Sequence, residues 1–209
     1  MKVLVFDTET TGLPEGRNPS IYHTDKWPHI IQLSYFVYDS ETNDLITVQD
    51  DYINIALNIN IHPDSQKIHK ISRETLVNGI SIIDALHKFN EFADKCDLLV
   101  GHNVSFDKRM VMVEGIRNKI HMTINDTFCT MKNSVDICKI ERIGKDGEKY
   151  FKYPTLSELH NILFKKEPKN THNALIDILI CMRCFCKTEL KKDISRINRT
   201  IRVMLRDAC

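Results

Sequence analysis

Two carboxylates one residue apart follow an apolar run at the start of the chain. Residues 3–6, Val-Leu-Val-Phe, are typical of a short buried strand, and Asp7 and Glu9 come next. Positions i and i+2 of a strand point to the same face, so these acids would lie side by side and repel each other. A hard divalent cation such as Mg²⁺ or Mn²⁺ would remove that repulsion, because such cations prefer oxygen ligands. The alternatives are a solvated strand edge and a carboxylate that caps a helix.

Two further acids have surroundings that call for a cation. Asp107 ends the segment Gly-His-Asn-Val-Ser-Phe-Asp, where a predicted strand passes into a helix. Asp177 lies within an apolar helical pattern, with no lysine or arginine between Lys169 and Arg183. A buried ionised aspartate needs a partner, and a metal ion would be one.

His172 precedes Asp177 by five residues. Five steps of about 100° would place the two side chains about 140° apart on one helix, so they would not converge there. We therefore expect His172 in the loop or first turn before the helix, where it could lean over the acids. The alternative is an exposed loop histidine without a function.

The hydrophobic pattern predicts the elements that position these residues. Strand patterns run over residues 3–6, 30–38, 45–55, 98–100 and 127–130, and helical patterns over residues 72–76, 81–96, 105–118, 155–163 and 173–190. A hairpin followed by strands that alternate with helices indicates a mixed α/β sheet with helices on its faces. Ligands bind such sheets at the carboxyl ends of the strands, where Asp7, Glu9 and Asp107 fall.

The composition is that of an ordinary globular domain. The 209 residues are 42% hydrophobic and 27% charged, with a formal net charge of +1. The overall charge therefore does not indicate that the protein binds nucleic acid. Asp7 interrupts the apolar run before a signal peptide could form, and no segment is long enough to span a membrane. We therefore expect no membrane contact and an intracellular, cytoplasmic location. The seven cysteines are read as reduced buried residues rather than as a zinc site.

Two segments stand apart from the rest of the chain. Residues 131–153 form a charged insertion, in which residues 140–153 predict a hairpin that is either a surface insertion or a flap near the site. Residues 187–209 carry seven basic and three acidic side chains and predict one basic amphipathic helix. That helix could pack on the domain formed by residues 1–186, or dock nucleic acid, a polymerase or another protein.

Three segments together resemble the exonuclease motifs of the DnaQ-like superfamily, in its DEDDh branch. They are Phe-Asp-Thr-Glu-Thr-Thr-Gly-Leu at 6–13, Gly-His-Asn-Val-Ser-Phe-Asp at 101–107 and His-Asn-Ala-Leu-Ile-Asp at 172–177. The resemblance covers roughly residues 1–186, and the departures are the insertion and the tail. It implies a ribonuclease H-like mixed five-stranded sheet flanked by helices.

The resemblance also implies the catalytic roles. Asp7, Glu9, Asp107 and Asp177 would hold two Mg²⁺ or Mn²⁺ ions, with Asp7 bridging both and Asp107 acting through water. His172 would take the proton from the attacking water, a task that suits a group with an ordinary pKa of about 6.5. The implied activity is a 3′→5′ exonuclease that releases nucleoside monophosphates, with single-stranded DNA ends favoured over RNA.

Four more positions match residues that hold the 3′ end in relatives. Thr10 matches a position in the first motif whose backbone binds the terminal nucleotide, and Leu13 matches an apolar side chain that wedges beside the base. Asn103 and Phe106 match the polar and stacking contacts of the second, although Phe106 could equally be a core residue. Two other functions stay open: trimming of RNA 3′ ends, and a non-catalytic module that binds nucleic acid or a polymerase.

Overall fold

A mixed five-stranded sheet forms the centre of the protein, as predicted. The structure, a computed structural model, describes residues 1–208, and Cys209 of the predicted tail lies outside them. The strands are β1 (Lys2–Thr10), β2 (Ile30–Asp39), β3 (Leu45–Tyr52), β4 (Leu98–Gly101) and β5 (Thr127–Cys129). Their order is β3–β2–β1–β4–β5; the first three strands are antiparallel, and β4 and β5 run parallel to β1.

Five of the helices match predicted ones, and three short helices, over residues 63–69, 130–133 and 135–138, were not predicted. The helices are α1 (Pro63–His69), α2 (Arg73–Val77), α3 (Ile82–Ala93), α4 (Val104–Asn118), α5 (Thr130–Asn133), α6 (Val135–Cys138), α7 (Leu156–Phe164), α8 (Ala174–Thr188), α9 (Ile194–Ile197) and α10 (Arg199–Ala208), with a 3₁₀ turn at Thr24–Lys26. Thr155 and Glu158 have the sequence spacing of a capping box, which predicts the start of a helix here, and α7 begins with the complete box. The Thr155 hydroxyl accepts from the Glu158 N–H, and the Glu158 carboxylate accepts from the Thr155 N–H.

Alternation along β1 divides the core between the two faces of the sheet. Phe6 packs against α3, where its ring meets Phe89 edge-on with the ring centroids 5.3 Å apart. Val3 and Val5 point to the opposite face and pack with the buried side of α8. Because Asp7 shares the parity of the two valines, the sequence turns it towards α8 at the carboxyl end of the strand.

The charged insertion contains the predicted hairpin. After α5 and α6, β6 (Glu141–Ile143) pairs antiparallel with β7 (Lys149–Phe151), and the residues of both strands are exposed. Lys152 closes the base of the hairpin, where its N–H donates to the Ile140 carbonyl over 3.0 Å.

The basic tail differs from the prediction, because it is not one helix. Residue 188 ends α8, and the tail then forms α9 and α10 with extended backbone at Asn198 between them. Asn198 causes the break: its side-chain oxygen accepts from the Ile201 N–H, and its amide donates to the Asn43 carbonyl, each over 3.0 Å. The apolar side of α10 is buried in the core on the α8 face, through Ile201 and Leu205.

An ion pair fixes the start of the tail. The Arg183 guanidinium on α8 lies 3.0 Å from the Asp193 carboxylate, and both side chains are largely buried. The tail therefore packs on the domain, which is one of the two interpretations left open by the sequence. Across the described part of the chain, no helix is both long and apolar enough to cross a membrane.

Candidate active site

Three acids meet at the carboxyl end of β1. Asp7 and Glu9 lie on the strand face that is turned towards α8, and Asp177 comes from the first turn of that helix. One carboxylate oxygen from each residue can be chosen so that all three atoms lie within 4.8 Å of one another. The two segments are 168 residues apart in sequence, so only the packing of α8 on the sheet joins them.

Asp107 reaches the same strand end from the other side. It lies in the first turn of α4 and is only 3% exposed. Its carboxylate accepts from the backbone N–H of Thr8 over 3.0 Å and from the Thr8 hydroxyl over 2.8 Å. Asp107 is therefore held beside Asp7 rather than within the group of three acids, and among the neighbouring charges it raises the pKa of Asp7 most.

The pKa values of the four carboxyls are raised by their burial and, for Asp7, Glu9 and Asp177, by their closeness to other acids. Burial, followed by the negative charges of the neighbouring acids, raises the pKa of Glu9 to about 8 and that of Asp7 well above its ordinary value. Burial also raises the pKa of Asp107 and of Asp177 to about 7, against the hydrogen bonds that each accepts. A divalent cation would reverse this trend, because it favours the ionised carboxylates.

One buried oxygen atom supports a metal at this position. The Oδ2 atom of Asp177 accepts from the backbone N–H of His172 over 3.0 Å, whereas its Oδ1 atom is buried and finds no hydrogen-bond partner among the residues that the structure describes. An unpaired buried carboxylate oxygen is costly, and coordination to a cation satisfies it. An all-carboxylate set of donors suits Mg²⁺ or Mn²⁺, so the residues fit the predicted cofactor.

His172 lies before α8, as its spacing predicts. Its backbone has a left-handed φ of 67°, and its side chain is exposed. Asn173 caps the helix by accepting from the Ile176 N–H, and Gln32 of β2 accepts from the Ala174 N–H over 3.4 Å. Together these contacts hold the start of α8, so the histidine and Asp177 keep a fixed relation.

Three of the four predicted contacts for the 3′ end line one cleft. Leu13, Asn103 and Phe106 border a space of about 420 Å³. Leu13 is 81% exposed, as a wedge would have to be, and Asn103 makes no cap hydrogen bond with its side chain. Phe106 packs on the core and also borders the cleft. Its position is therefore compatible with both roles left open by the sequence, and stacking on a base stays a prediction.

Thr10 is the exception among the four. It is buried, and its hydroxyl donates to the Gly12 carbonyl over 2.8 Å. Its side chain therefore shapes the turn that presents Leu13 rather than the wall of the cleft, and the contact expected from its backbone stays a prediction.

The comparison with known families decides the relationship. The family model described as exonuclease matches residues 4–185, which is most of the chain. The chain belongs to the DnaQ-like exonuclease superfamily. Enzymes of this family are nucleases that depend on divalent metals, and the group of three acids provides a candidate place for one.

The similar proteins include a DNA polymerase subunit and two exonucleases. The chain is 26% identical over 225 residues to DNA polymerase III subunit epsilon of Buchnera aphidicola subsp. Acyrthosiphon pisum, covering 97% of this chain and 87% of that protein. E. coli exonuclease I in complex with a dT13 oligonucleotide shares the fold, with a TM-score of 0.66 and 16% identity over 97% of this chain and 45% of that one. The nuclease domain of 3′hExo, a DEDDh family member bound to rAMP, gives a TM-score of 0.66 at 12% identity, covering 92% and 94% of the two chains. The chain thus spans just under half of exonuclease I.

One contact in this exonuclease fold was not foreseen from the sequence. His102, in the loop between β4 and α4, donates from Nε2 to the Pro154 carbonyl and accepts at Nδ1 from the Thr130 hydroxyl, each over 3.0 Å. Burial lowers the pKa of His102 to about 4, so the ring is neutral at pH 7. It ties the loop that carries Asn103 to the base of the hairpin.

The neutral His102 predicts a loss of stability in acid. Because its pKa lies below the ordinary value of about 6.5, the unfolded chain binds the proton more tightly than the folded protein. The contribution of His102 is complete above pH 6.5 and is lost as the pH falls towards 4, by about 2 kcal/mol at pH 4.5. Urea unfolding of the wild type and of His102→Gln at pH 7.5 and pH 4.5 measures it. We expect the free energy of unfolding to depend less on pH in the variant than in the wild type. An equal dependence in the two proteins would contradict this assignment.

Proposed function

We propose that this chain is a 3′→5′ exonuclease that removes nucleoside monophosphates from the ends of single-stranded DNA. The observation that carries the proposal is the meeting of Asp7, Glu9 and Asp177, with a buried oxygen on Asp177 that has no hydrogen-bond partner among the described residues. The Leu13 cleft supports it, because its wall includes Asn103, four residues before Asp107. The acids supply cation ligands, and the cleft offers an apolar wall for a terminal base. All four acids are present, which favours an enzyme over a non-catalytic binding module.

Each residue has a defined task in this reaction. Asp7, Glu9 and Asp177 would hold one divalent ion, and Asp7 with Asp107, the latter through water, would hold a second. When bound, the ions activate the attacking water and offset the charge that develops on the phosphate and on the leaving 3′ oxygen. His172 accepts the proton of the water whose oxygen attacks phosphorus. The bond from phosphorus to the 3′ oxygen breaks, and that oxygen takes up a proton.

Single-stranded DNA is the substrate that the relatives support best. The similar polymerase subunits are DNA polymerase III epsilon, and exonuclease I was crystallised with dT13. By analogy, the chain would act in proofreading or repair, and the exposed basic residues of α10 would contact a polymerase or another protein. The intracellular location stays a prediction.

RNA is the second candidate substrate, because 3′hExo is bound to rAMP. A contact to the 2′-hydroxyl would decide between the two. Exclusion of RNA would be visible as a side chain that fills the space beside the 2′ carbon of the terminal sugar.

A direct assay tests the proposed function. Matched DNA and RNA 20-mers, each labelled at the 5′ end, are incubated with the purified protein and Mg²⁺. We expect a ladder that shortens from the 3′ end, nucleoside monophosphates as products, faster loss of DNA than of RNA, and no reaction in excess chelator. Activity that survives the chelator, or products longer than one nucleotide, would reject the proposal; faster loss of RNA would transfer it to RNA.

A further inference from the structure

A second cleft continues from the one that Leu13 borders. It has a volume of about 500 Å³ and lies along α4, between the ends of β5 and α5 and the loop that follows β1. Ser105 and Arg109 line both clefts, so the two spaces meet at the first turns of α4. The Arg109 guanidinium donates to the side-chain oxygen of Asn18 across that boundary.

The charge of this double cleft differs from that of the whole chain. Arg17, Lys108, Arg109 and Lys132 line the two spaces, and none of the Asp or Glu side chains that the structure describes does. The chain as a whole has 29 basic and 28 acidic residues, so four cations without an acid are a local concentration of positive charge. Among the carboxylates whose side chains the structure describes, which leaves out Asp207, none forms an ion pair with any of the four.

Lys108 has acidic residues on its other side. It also borders a shallow depression that contains Asp97 and Asp126, without pairing with either. The depression shares Lys108 and Thr127 with the second cleft, so the two acids adjoin this cleft without lining it, and the side chains that line it are basic or neutral.

We propose that the second cleft holds the sugar–phosphate backbone of the strand upstream of the 3′-terminal nucleotide. This inference rests on the proposed function, because it assumes that the terminal base lies at Leu13 and Phe106. The strand would pass over Ser105 and Arg109, and its next phosphates would meet Lys108 and Lys132. Lysine and arginine along such a path bind phosphates without regard to base sequence.

The path predicts that strand length decides the effect of a mutation. Lys108→Glu/Lys132→Glu changes only the second cleft and leaves the acids and the Leu13 cleft intact. We expect kcat/KM for a single-stranded 12-mer to fall at least tenfold, while kcat/KM for a dinucleotide changes less than twofold. A plot of the logarithm of the association constant against the logarithm of the salt concentration should also become less steep. Its slope should fall in magnitude by about 1.4, because two phosphate contacts are lost and each contributes about 0.7.

Binding without catalysis separates this inference from the proposed function. In an Asp7→Asn background with chelator present, fluorescence anisotropy is measured for DNA strands of 3, 6 and 12 nucleotides, and for a duplex with a recessed 3′ end. We expect the charge reversal to weaken binding of the 12-mer at least tenfold and binding of the 3-mer much less. This expectation holds even if the protein hydrolyses no substrate. Lys108→Ala/Lys132→Ala should give a smaller effect of the same kind.

A matched control and three outcomes make the test decisive. Lys187→Glu reverses an exposed charge in the last turn of α8, at the far end of that helix from Asp177, and should leave all strands unaffected. Equal losses of affinity for the short and the long strands would overturn the proposal, as would an unchanged affinity for the 12-mer. An effect confined to the duplex would assign the cleft to the complementary strand and would also overturn it.

Discussion

Replacing Asp7 with asparagine should abolish hydrolysis and at the same time make the metal-free protein more stable. Asp7 is the residue that both cation positions would share. Losing about 4 kcal/mol of transition-state stabilisation corresponds to about a 10³-fold loss in kcat. Single-turnover hydrolysis of a labelled 12-mer with Mg²⁺ measures this loss.

The gain in stability has a separate physical cause. Burial and the three neighbouring acids raise the pKa of Asp7, so at pH 8 its ionisation opposes folding whenever no cation is bound. Asparagine removes that charge and keeps nearly the same shape, so the free energy of unfolding in chelator should rise by about 1 kcal/mol or more. Urea unfolding at pH 8 provides the value.

A control variant separates this effect from charge removal in general. Glu167→Gln removes one exposed negative charge from the loop before α8 and should change neither activity nor stability. A stable Asp7→Asn protein that keeps more than a tenth of the wild-type rate would contradict the assigned role. So would a variant that is less stable than the wild type in chelator.

Replacement of His172 should slow turnover by about 10²- to 10⁴-fold without weakening metal binding. The choice of substitution matters, because the residue has a left-handed backbone that asparagine adopts more readily than alanine. His172→Asn keeps the backbone N–H that donates to Asp177, so only the imidazole is lost. Affinity for Mn²⁺ should therefore stay within about twofold of the wild type.

Two measurements read out these separate effects. Single-turnover rates give the catalytic loss, and titration calorimetry with Mn²⁺ gives the affinity. His87→Ala, which removes an exposed histidine of α3, should behave like the wild type in both. An unchanged rate in His172→Asn would mean that another group takes the proton, and a large loss of Mn²⁺ affinity would make the histidine a structural residue.

Much of the fold could be predicted because local patterns specify it. Apolar runs, the capping pair Thr155 and Glu158, and the hairpin turn all act over a few residues, and each produced the expected element. The break at Asn198 was missed, because its local bond to the Ile201 N–H is supported by a second bond to Asn43, which is far away in sequence. The helical spacing of the tail continues across that residue and conceals the break.

The candidate site was predicted in its acids but not in its supports. Asp7, Glu9 and Asp177 could be identified because charged residues interrupt apolar patterns. Thr8 stands between two of them in the sequence, yet its bonds to Asp107 become visible only when α4 packs beside β1. His102 was missed for a similar reason, since its partners come from later segments of the chain.

The cationic cleft is the clearest case of a feature that sequence could not reveal. Arg17 and Lys132 are 115 residues apart, and neither stands in a basic run. They share a surface with Lys108 because the loop after β1 and helix α5 both pack beside α4. Overall charge hides such a site, since the remaining residues bring the chain close to neutrality.

Anomalous diffraction from crystals grown with Mn²⁺ tests the central claim most directly. The predicted result is a strong anomalous peak coordinated by oxygen atoms of Asp7, Glu9 and Asp177, and its loss in Asp7→Asn. If Mn²⁺ at a concentration that sustains hydrolysis gives no peak there, or is held only elsewhere on the protein, these carboxylates do not form the catalytic centre.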